Sequence, residues 1–429
     1  PFDAEKETFR TKDELQGCRL ALLSNRLPLV GVIMGGATKI KQYVFESAKL
    51  PEIRGASGLL DRINLRDIPA LFAREPGWLE KLRRGPATDG EEVAEGERLV
   101  AQVRAWFQAR YGVAPPDCRE CVIYAKGGEV LAFAPLKLAA SLAEAIEGLY
   151  TRETLVANSV AVWRPCTLME LRFGLRPLEF WADDFDSVAD ESLKVLLRDY
   201  YGESFFSRSR KTFGEVVAWL AQAKLRRREG NRVDGRVPRP TPRWETVPYA
   251  RRCQSCERRA AVVERRFEEE AAGDWFCEPC ARKRVFGQRA KREDPGQTGW
   301  FRKAGFAWEP LGAKAWSRIF EEWLEEHPEL KQTYYGEAGR AQPPDDLDDI
   351  GAASKPQGFI GVIYADGNNM GALLEELRSP ADYREFAEAV HRATIDATFT
   401  ALATCLRPYL RRERERWLHP FEVLGIGGD

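Results

Sequence analysis

Two groups of side chains in this sequence have types and spacings that could do chemistry. The first is Cys253-x2-Cys256 followed, after twenty residues, by Cys277-x2-Cys280. Each pair can offer two thiolates to one tetrahedral ion, and this is strong zinc spacing. Four sulfurs close the coordination sphere, so a zinc there would be structural. The second group begins with Asp366, at the end of the apolar run GFIGVIYAD, and continues with Gly367, Asn368 and Asn369. The sequence closes on VLGIGGD, with Gly427, Gly428 and Asp429. An aspartate ending a buried strand, beside a Gly-Gly turn that carries a second carboxylate, suits a hard cation such as magnesium. Two such ions, about 3.5–4 Å apart, can activate a ribose hydroxyl and stabilise a leaving pyrophosphate. Asp366 and Asp429 are therefore the catalytic, metal-binding candidates. Gly367, Asn368 and Asn369 open a helix whose N–H groups can cradle a triphosphate. Gly427 and Gly428 let the backbone turn tightly beside a nucleotide. Taken alone, Asp366 suits a helix N-cap and Gly427-Gly428 a plain hairpin turn. Their combination carries the reading.

These residues need elements to hold them. A buried strand is expected near Leu29–Met34, then helix in two pieces, the first with Ile40, Tyr43 and Val44 on one face. The second piece carries Gly55, Ala56, Ser57 and Gly58, small enough for close approach to a nucleotide base or to another helix. Ser57 is the nucleotide-binding candidate of that segment. CVIYAKGGEVLAFAP (121–135) reads as a hairpin, and 136–150 as an amphipathic helix. Residues 151–224 alternate helical and short apolar stretches without evident chemistry. From Lys224 to Arg252 the chain is basic and Pro-rich. Its arginines, with Arg258 and Arg259, could meet RNA or partner phosphates, or line a solvated loop. Residues 313–327 form an amphipathic helix with Trp316, Ile319, Phe320 and Trp323 inward. Residues 331–357 read as a polar, acidic linker, 358–376 as a strand feeding a helix, and EVLGIGGD as a strand entering a turn. Cys118-x2-Cys121 is a lone pair beside a strand, read as ordinary small residues.

An internal repeat links the two ends. LVGVIMGGATKIKQYVFE (29–46) aligns with FIGVIYADGNNMGALLEE (359–376), placing Gly36 on Asp366. Each copy then runs through helices to Gly-Gly-acid: Gly127-Gly128-Glu129 in the first, Gly427-Gly428-Asp429 in the second. Two domains of one fold are expected, the first chemically silent because it has Gly36 where the second has Asp366.

YADGNNMG with a later GGD resembles the palm domain of nucleotide cyclases and of the large subunit of type III CRISPR effector complexes. KIKQYVFESAKLPEIRGASGLLDRIN looks like the first palm of that subunit, and IYAKGGEVLAFAP like its degenerate Gly-Gly hairpin. The resemblance implies an α+β chain of two ferredoxin-like palm domains with a helical, zinc-binding insertion between them. The implied division is 1–150 for the first palm, 151–330 for the helical domain with its zinc module at about 250–284, 331–357 for the linker, and 358–429 for the second palm. It also implies synthesis of cyclic oligoadenylate from ATP once target RNA binds, in antiviral defence. Magnesium or manganese would be held by Asp366 and Asp429, and zinc by the four cysteines. The implied partners are ATP, the other effector subunits, and guide and target RNA through the complex. The family's hairpin is Gly-Gly-Asp-Asp, whose fourth residue lies beyond Asp429. Asn368 replaces a second acid often found there.

Two other readings stand beside this one: a catalytically inactive scaffold of the same kind of complex, and a diguanylate-cyclase-type enzyme. The last explains neither the duplication nor the zinc module. Some members of the family resembled carry an HD nuclease, but His327, His391 and His419 are followed by Pro, Arg and Pro, so no His-Asp pair exists here. Lys and Arg number 65 against 66 Asp and Glu, so net charge argues neither for nor against nucleic acid. No apolar run is long enough to span a membrane, and nine cysteines with metal-type pairs suit a reducing compartment, so the chain is read as cytoplasmic. Without an initiator Met, and ending inside a motif, it is read as part of a longer protein.

Overall fold

The computed structural model describes residues 2–3, 8–9, 29–79, 90–177, 185, 190–202, 211–237, 242, 247–265, 273–291 and 299–427. A four-stranded antiparallel sheet organises its first part. The strands are β1 (Leu29–Thr38), β2 (Val122–Lys126), β3 (Glu129–Pro135) and β4 (Asn158–Thr167), in the order β2-β3-β1-β4. Between β1 and β2 lie α1 (Ile40–Val44), α2 (Leu50–Arg62), a π-helical turn at Ile63–Asp67, α3 (Ile68–Phe72) and α4 (Gly90–Tyr111). Helix α5 (Leu136–Thr154) joins β3 to β4. This βαββαβ order with β1 and β3 central is the ferredoxin-like arrangement.

The central strand explains its own sequence. β1 is buried from Gly31 to Ala37, so it reads as a continuous apolar run and not as an alternation. Ile33 and Ala37 face a core shared with α2 and α5, while Val32 and Met34 face Phe213, Val216 and Leu220 of α8 (Phe213–Arg228). Gly127 and Gly128, both at positive φ, make the two-residue turn between β2 and β3. The first sheet does not stop at 150. β4 pairs with β1 along its whole length, from Leu29 opposite Thr167 to Thr38 opposite Asn158. A ten-residue strand that ends in Arg-Pro-Cys-Thr gave little periodicity by which to see it.

Helices α6 (Leu168–Phe173) and α7 (Glu191–Tyr201) precede α8. The cysteine module follows α8, with hairpin strands β5 (Val263–Arg265) and β6 (Asp274–Phe276), then α9 (Glu278–Lys291) and α10 (Gly299–Lys303). Helix α9 crosses α2 at backbone contact. A Cβ on Gly55 would lie 1.7 Å from the Lys283 carbonyl oxygen, and one on Gly287 2.1 Å from that of Pro51. Gly58 faces the Phe286 ring. The small residues at 55–58 that could have approached a base are thus largely occupied by helix packing.

The last part holds α11 (Trp316–Glu326), α12 (Pro328–Tyr335), α13 (Leu347–Ala352), α14 (Met370–Glu376) and α15 (Pro380–Cys405), with hairpin strands β7 (Tyr409–Arg411) and β8 (Arg416–Leu418). Trp316, Phe320 and Trp323 are buried against Tyr334, Phe399 and Phe421, as the helical spacing predicts. Among the described residues, no helix is long and apolar enough to cross a membrane.

Three expectations differ from the structure. Residues 331–357 are not a spacer. Asp345 pairs with Lys291 and Arg416, Asp349 is fully buried beside Arg411, and Tyr334 lies in the core. Opposite charges convert an acidic stretch into a strap. Residues 359–366 form no strand, and Val362 and Ile363 are 82% and 95% exposed. β1 is held because β3 and β4 flank it; 359–366 has no flanking strand among the described residues. Residues 421–427 likewise run without strand pairing, though Phe421 and Ile426 are buried.

The α2–α9 crossing yields a test. Gly55→Val should lower stability by about 1–3 kcal/mol or more, because the added atoms meet a carbonyl that cannot retreat. Gly371→Ala, inside α14 with nothing within 4 Å of the new atom, should be neutral or stabilising by up to about 1 kcal/mol. Apparent thermal midpoints of the two variants check this. Equal midpoints would show that the helices can move apart.

Candidate functional site

The four cysteines converge. Cys253, Cys256, Cys277 and Cys280 are all buried, and their sulfurs lie within 4.8 Å of one another. Cys256 and Cys277 Sγ are 3.8 Å apart. A tetrahedron with bonds of about 2.3 Å to zinc has edges close to that value, so the donor set fits zinc. Local structure sets each pair. The first lies on a knuckle where the Cys253 N–H donates to the Arg259 carbonyl and the Glu257 N–H to the Cys253 carbonyl. Cys277 precedes α9 and Cys280 lies in its first turn, where the helix dipole favours a thiolate. Phe276, Val285, Trp300 and Phe301 pack around the ligands.

The centre is bound to the sheet unit. Arg259 Nη1 lies 3.5 Å from Cys256 Sγ and 3.8 Å from Cys277 Sγ, while its other nitrogen donates to Glu46. Lys283 Nζ donates to the second oxygen of Glu46 at 3.0 Å and to the Tyr43 carbonyl at 2.7 Å. The Ser255 and Ser47 hydroxyls are 2.9 Å apart. The sequence put Arg259 in a basic stretch that could meet phosphates or line a solvated loop; its position three residues after a ligand was the available signal. Glu46 and Lys283 carried no signal at all.

The C-terminal part of the second group lies against the first unit. Gly425 passes Ser57, where an added Cβ would be 3.1 Å from the hydroxyl oxygen. A Cβ on Gly427 would be 3.0 Å from Gly127 Cα, so the end of the described chain lies on the first Gly-Gly turn. Arg54 anchors this approach through a buried pair with Glu422, and donates to the Pro344 carbonyl at 2.9 Å. On the other side, Arg384 of α15 donates to the carbonyls of Glu120 and Val122 at 2.7 and 3.2 Å, which covers the β2 edge.

Asp366 is exposed, as are Gly367, Asn368 and Asn369, and its carboxylate has no protein partner among the described residues. Asn369, at φ 60°, precedes α14 without capping it by its side chain. Tyr364 stacks under Lys41, whose Nζ is 4.2 Å from the ring centre. Gly428 and Asp429 lie outside the described residues, so the second carboxylate has no position here. At the corresponding place in the first unit a side chain has no room, because a Cβ on Gly36 would sit 1.9 Å from the Gly128 carbonyl oxygen. Glu129 is paired with Lys224. The first unit therefore presents no carboxylate pair.

The remaining candidates separate. Arg227 forms a buried pair with Glu147, and Arg236 a partly buried one with Asp234, so these belong to the fold. Arg226, Arg228, Arg232, Arg251, Arg252 and Arg258 are exposed. Cys118 and Cys121 join no metal-type cluster among the described residues, and burial pushes the Cys121 thiol up to about 12.

Purified chain should carry about one zinc per molecule by elemental analysis. Cys277→Ser should lose it and unfold the module. A metal-free wild type with the module intact would overturn the assignment.

No protein-family model matches the chain, and no curated protein matches it. Among solved structures it is similar to a chain of a type III-B Cmr-beta assembly in the apo state, at TM-score 0.31 and 12% identity, over 77% of this chain and 36% of that one. It is also similar to a chain of the apo Csm1-Csm4 cassette, at TM-score 0.31 and 12% identity, over 93% of this chain and 44% of that one. The chain thus spans less than half the length of either.

Proposed function

We propose that this chain is part of the large subunit of a type III CRISPR effector complex, and that its second palm converts ATP to cyclic oligoadenylate by two-metal nucleotidyl transfer. The supporting motifs are YADGNNMG, the later GGD and the degenerate IYAKGGEV. The observation that carries the reading is the approach of Gly425 and Gly427 to Ser57 and Gly127. It puts Gly427, the first glycine of the second Gly-Gly motif, against the first Gly-Gly turn, and in this reading an acceptor hydroxyl and a donor triphosphate meet between the two units. The division is a first palm, a helical region with the zinc module, a strap at 331–357, and a second palm from 358.

In this reading Asp366 and Asp429 bind magnesium or manganese, which supplies charge stabilisation to the attacking and leaving oxygens. The exposed, unpaired carboxylate of Asp366 suits a hard cation by its donor chemistry. Asn368, Asn369 and Gly367 face the phosphates, Gly427 and Gly428 allow close backbone approach, and Ser57 can donate to the nucleotide from the opposite unit. The zinc is structural. The partners are ATP, the other effector subunits, and guide and target RNA through the complex. A catalytically inactive scaffold is the second reading, favoured by the missing strand pairing at 359–366.

The test is Asp366→Ala, in full-length protein assembled with its complex and target RNA. Stability should be unchanged within about 0.5 kcal/mol, and zinc content unchanged, since the side chain is exposed and has no hydrogen bond or ion pair among the described residues. Metal-dependent oligoadenylate formation should fall by at least about a hundredfold, as a lost metal ligand removes several kcal/mol of stabilisation. Equal product from variant and wild type would refute the metal assignment. No product from either would favour the scaffold.

A further inference from the structure

Glu46 lies in the short segment between α1 and α2 and has no hydrogen bond to a cysteine among the described residues, yet it is shared by two cations of the cysteine module. Its two oxygens accept from Arg259 and Lys283, and its side chain is only 6% exposed. Lys283 is fully buried, with its ammonium over the Tyr43 ring at 4.0 Å. Arg259 reaches in both directions. One nitrogen lies against Cys256 and Cys277, the other on Glu46. Ser255, flanked by the first cysteine pair, adds a second link: its N–H donates to Cys253 Sγ at 3.4 Å and its hydroxyl meets Ser47.

Charge explains the arrangement. Four thiolates around one divalent zinc carry a net charge of about −2. Buried charge of that size needs compensating donors, and outer-shell partners of a metal site hold its ligands in place. A guanidinium can serve two sulfurs and a carboxylate at once because its donors form a rigid fork.

We propose that Arg259 and Glu46 couple zinc binding to the seating of the Tyr43–Ser47 segment, so that the two are one linked equilibrium. Arg259 is a positioning residue: it orients Cys256 and Cys277 and holds Glu46 in the same geometry. By reciprocity, whatever loosens Glu46 must weaken zinc retention, and removal of zinc must loosen the segment. The segment leads into α2, which carries Ser57, so the link runs from the metal toward the face on which Gly425 lies. The inference stands apart from the reaction proposed above, and its test uses no turnover.

The experiment uses the full chain. Zinc release to a chromophoric chelator is timed, and hydrogen exchange is followed in peptides covering 43–49. Arg259→Ala should speed release roughly ten- to a hundredfold, the usual effect of an outer-shell loss. Arg259→Lys should recover only part of it, because a point charge cannot serve both partners. The decisive variant is Glu46→Gln, which removes no hydrogen bond to a sulfur among the described residues. It should speed zinc release severalfold and raise exchange at 43–49. In wild type, chelation alone should raise exchange in the same peptides. Where Glu46→Gln lowers the yield of folded protein, Ser47→Ala offers a milder cut at the same junction, with the same directions expected. Unchanged zinc release in Glu46→Gln or Ser47→Ala, with faster exchange at 43–49, would overturn the coupling. So would wild type whose 43–49 peptides ignore zinc removal.

Discussion

The backbone contact between α2 and α9 at Gly55 and Gly287 is the constraint on which the rest depends. Two helices can cross at that separation only where neither carries a Cβ. The crossing fixes α9, and α9 begins at the second cysteine pair, so the four-cysteine cluster is placed relative to the sheet. It also turns Lys283 toward Glu46 and Tyr43. On the opposite side it leaves Ser57 turned away from α9 and toward Gly425. One pair of missing methyl groups thereby sets both the four-cysteine cluster and the face on which Gly425 and Gly427 lie.

Buried ion pairs then join segments that are far apart in sequence. Arg54 meets Glu422, Arg62 meets Asp67 and Glu153, and Arg227 meets Glu147. Such pairs add little stability over well-packed apolar residues, but losing one partner leaves an uncompensated charge in the interior. They act as registration marks. Each fixes which residue of one segment faces which residue of another, a specificity that the apolar core shared by these segments does not supply by itself. Asp67 illustrates the cost: burial pushes its carboxyl up to about 6 despite the Arg62 guanidinium beside it.

The legibility of the sequence followed the range of each signal. The hairpin at 121–135, the helices at 136–150 and 313–327, and the four cysteines were readable because spacing alone defines them. β4 was not, because its identity comes from pairing with β1 and not from its own pattern. The strap at 331–357 read as a linker because its order comes from Lys291, Arg411 and Arg416, which are remote in sequence. Gly55 and Gly58 were recognised as sites of close approach, while what approaches them was a question only the fold could answer. The aligned Val-Gly-Val-Ile and Ile-Gly-Val-Ile runs share composition, but β1 has flanking strands and 359–366 has none among the described residues. Identical patterns take different forms where one has partners and the other lacks them.

The open run Phe359–Tyr364 has a colloidal consequence. It is rich in β-branched and aromatic residues, carries no charge, and leaves its backbone donors and acceptors unpaired by any strand among the described residues. Such a stretch is a template for pairing between chains, the starting point of ordered aggregates. Lys355 and Pro356 stand just before it and Asp366 just after, so charge and a missing N–H limit how far a paired stack could extend. At the boundary of the run, the exposed carboxylate of Asp366 would meet its own image in a neighbouring copy, and like charges brought that close oppose in-register pairing.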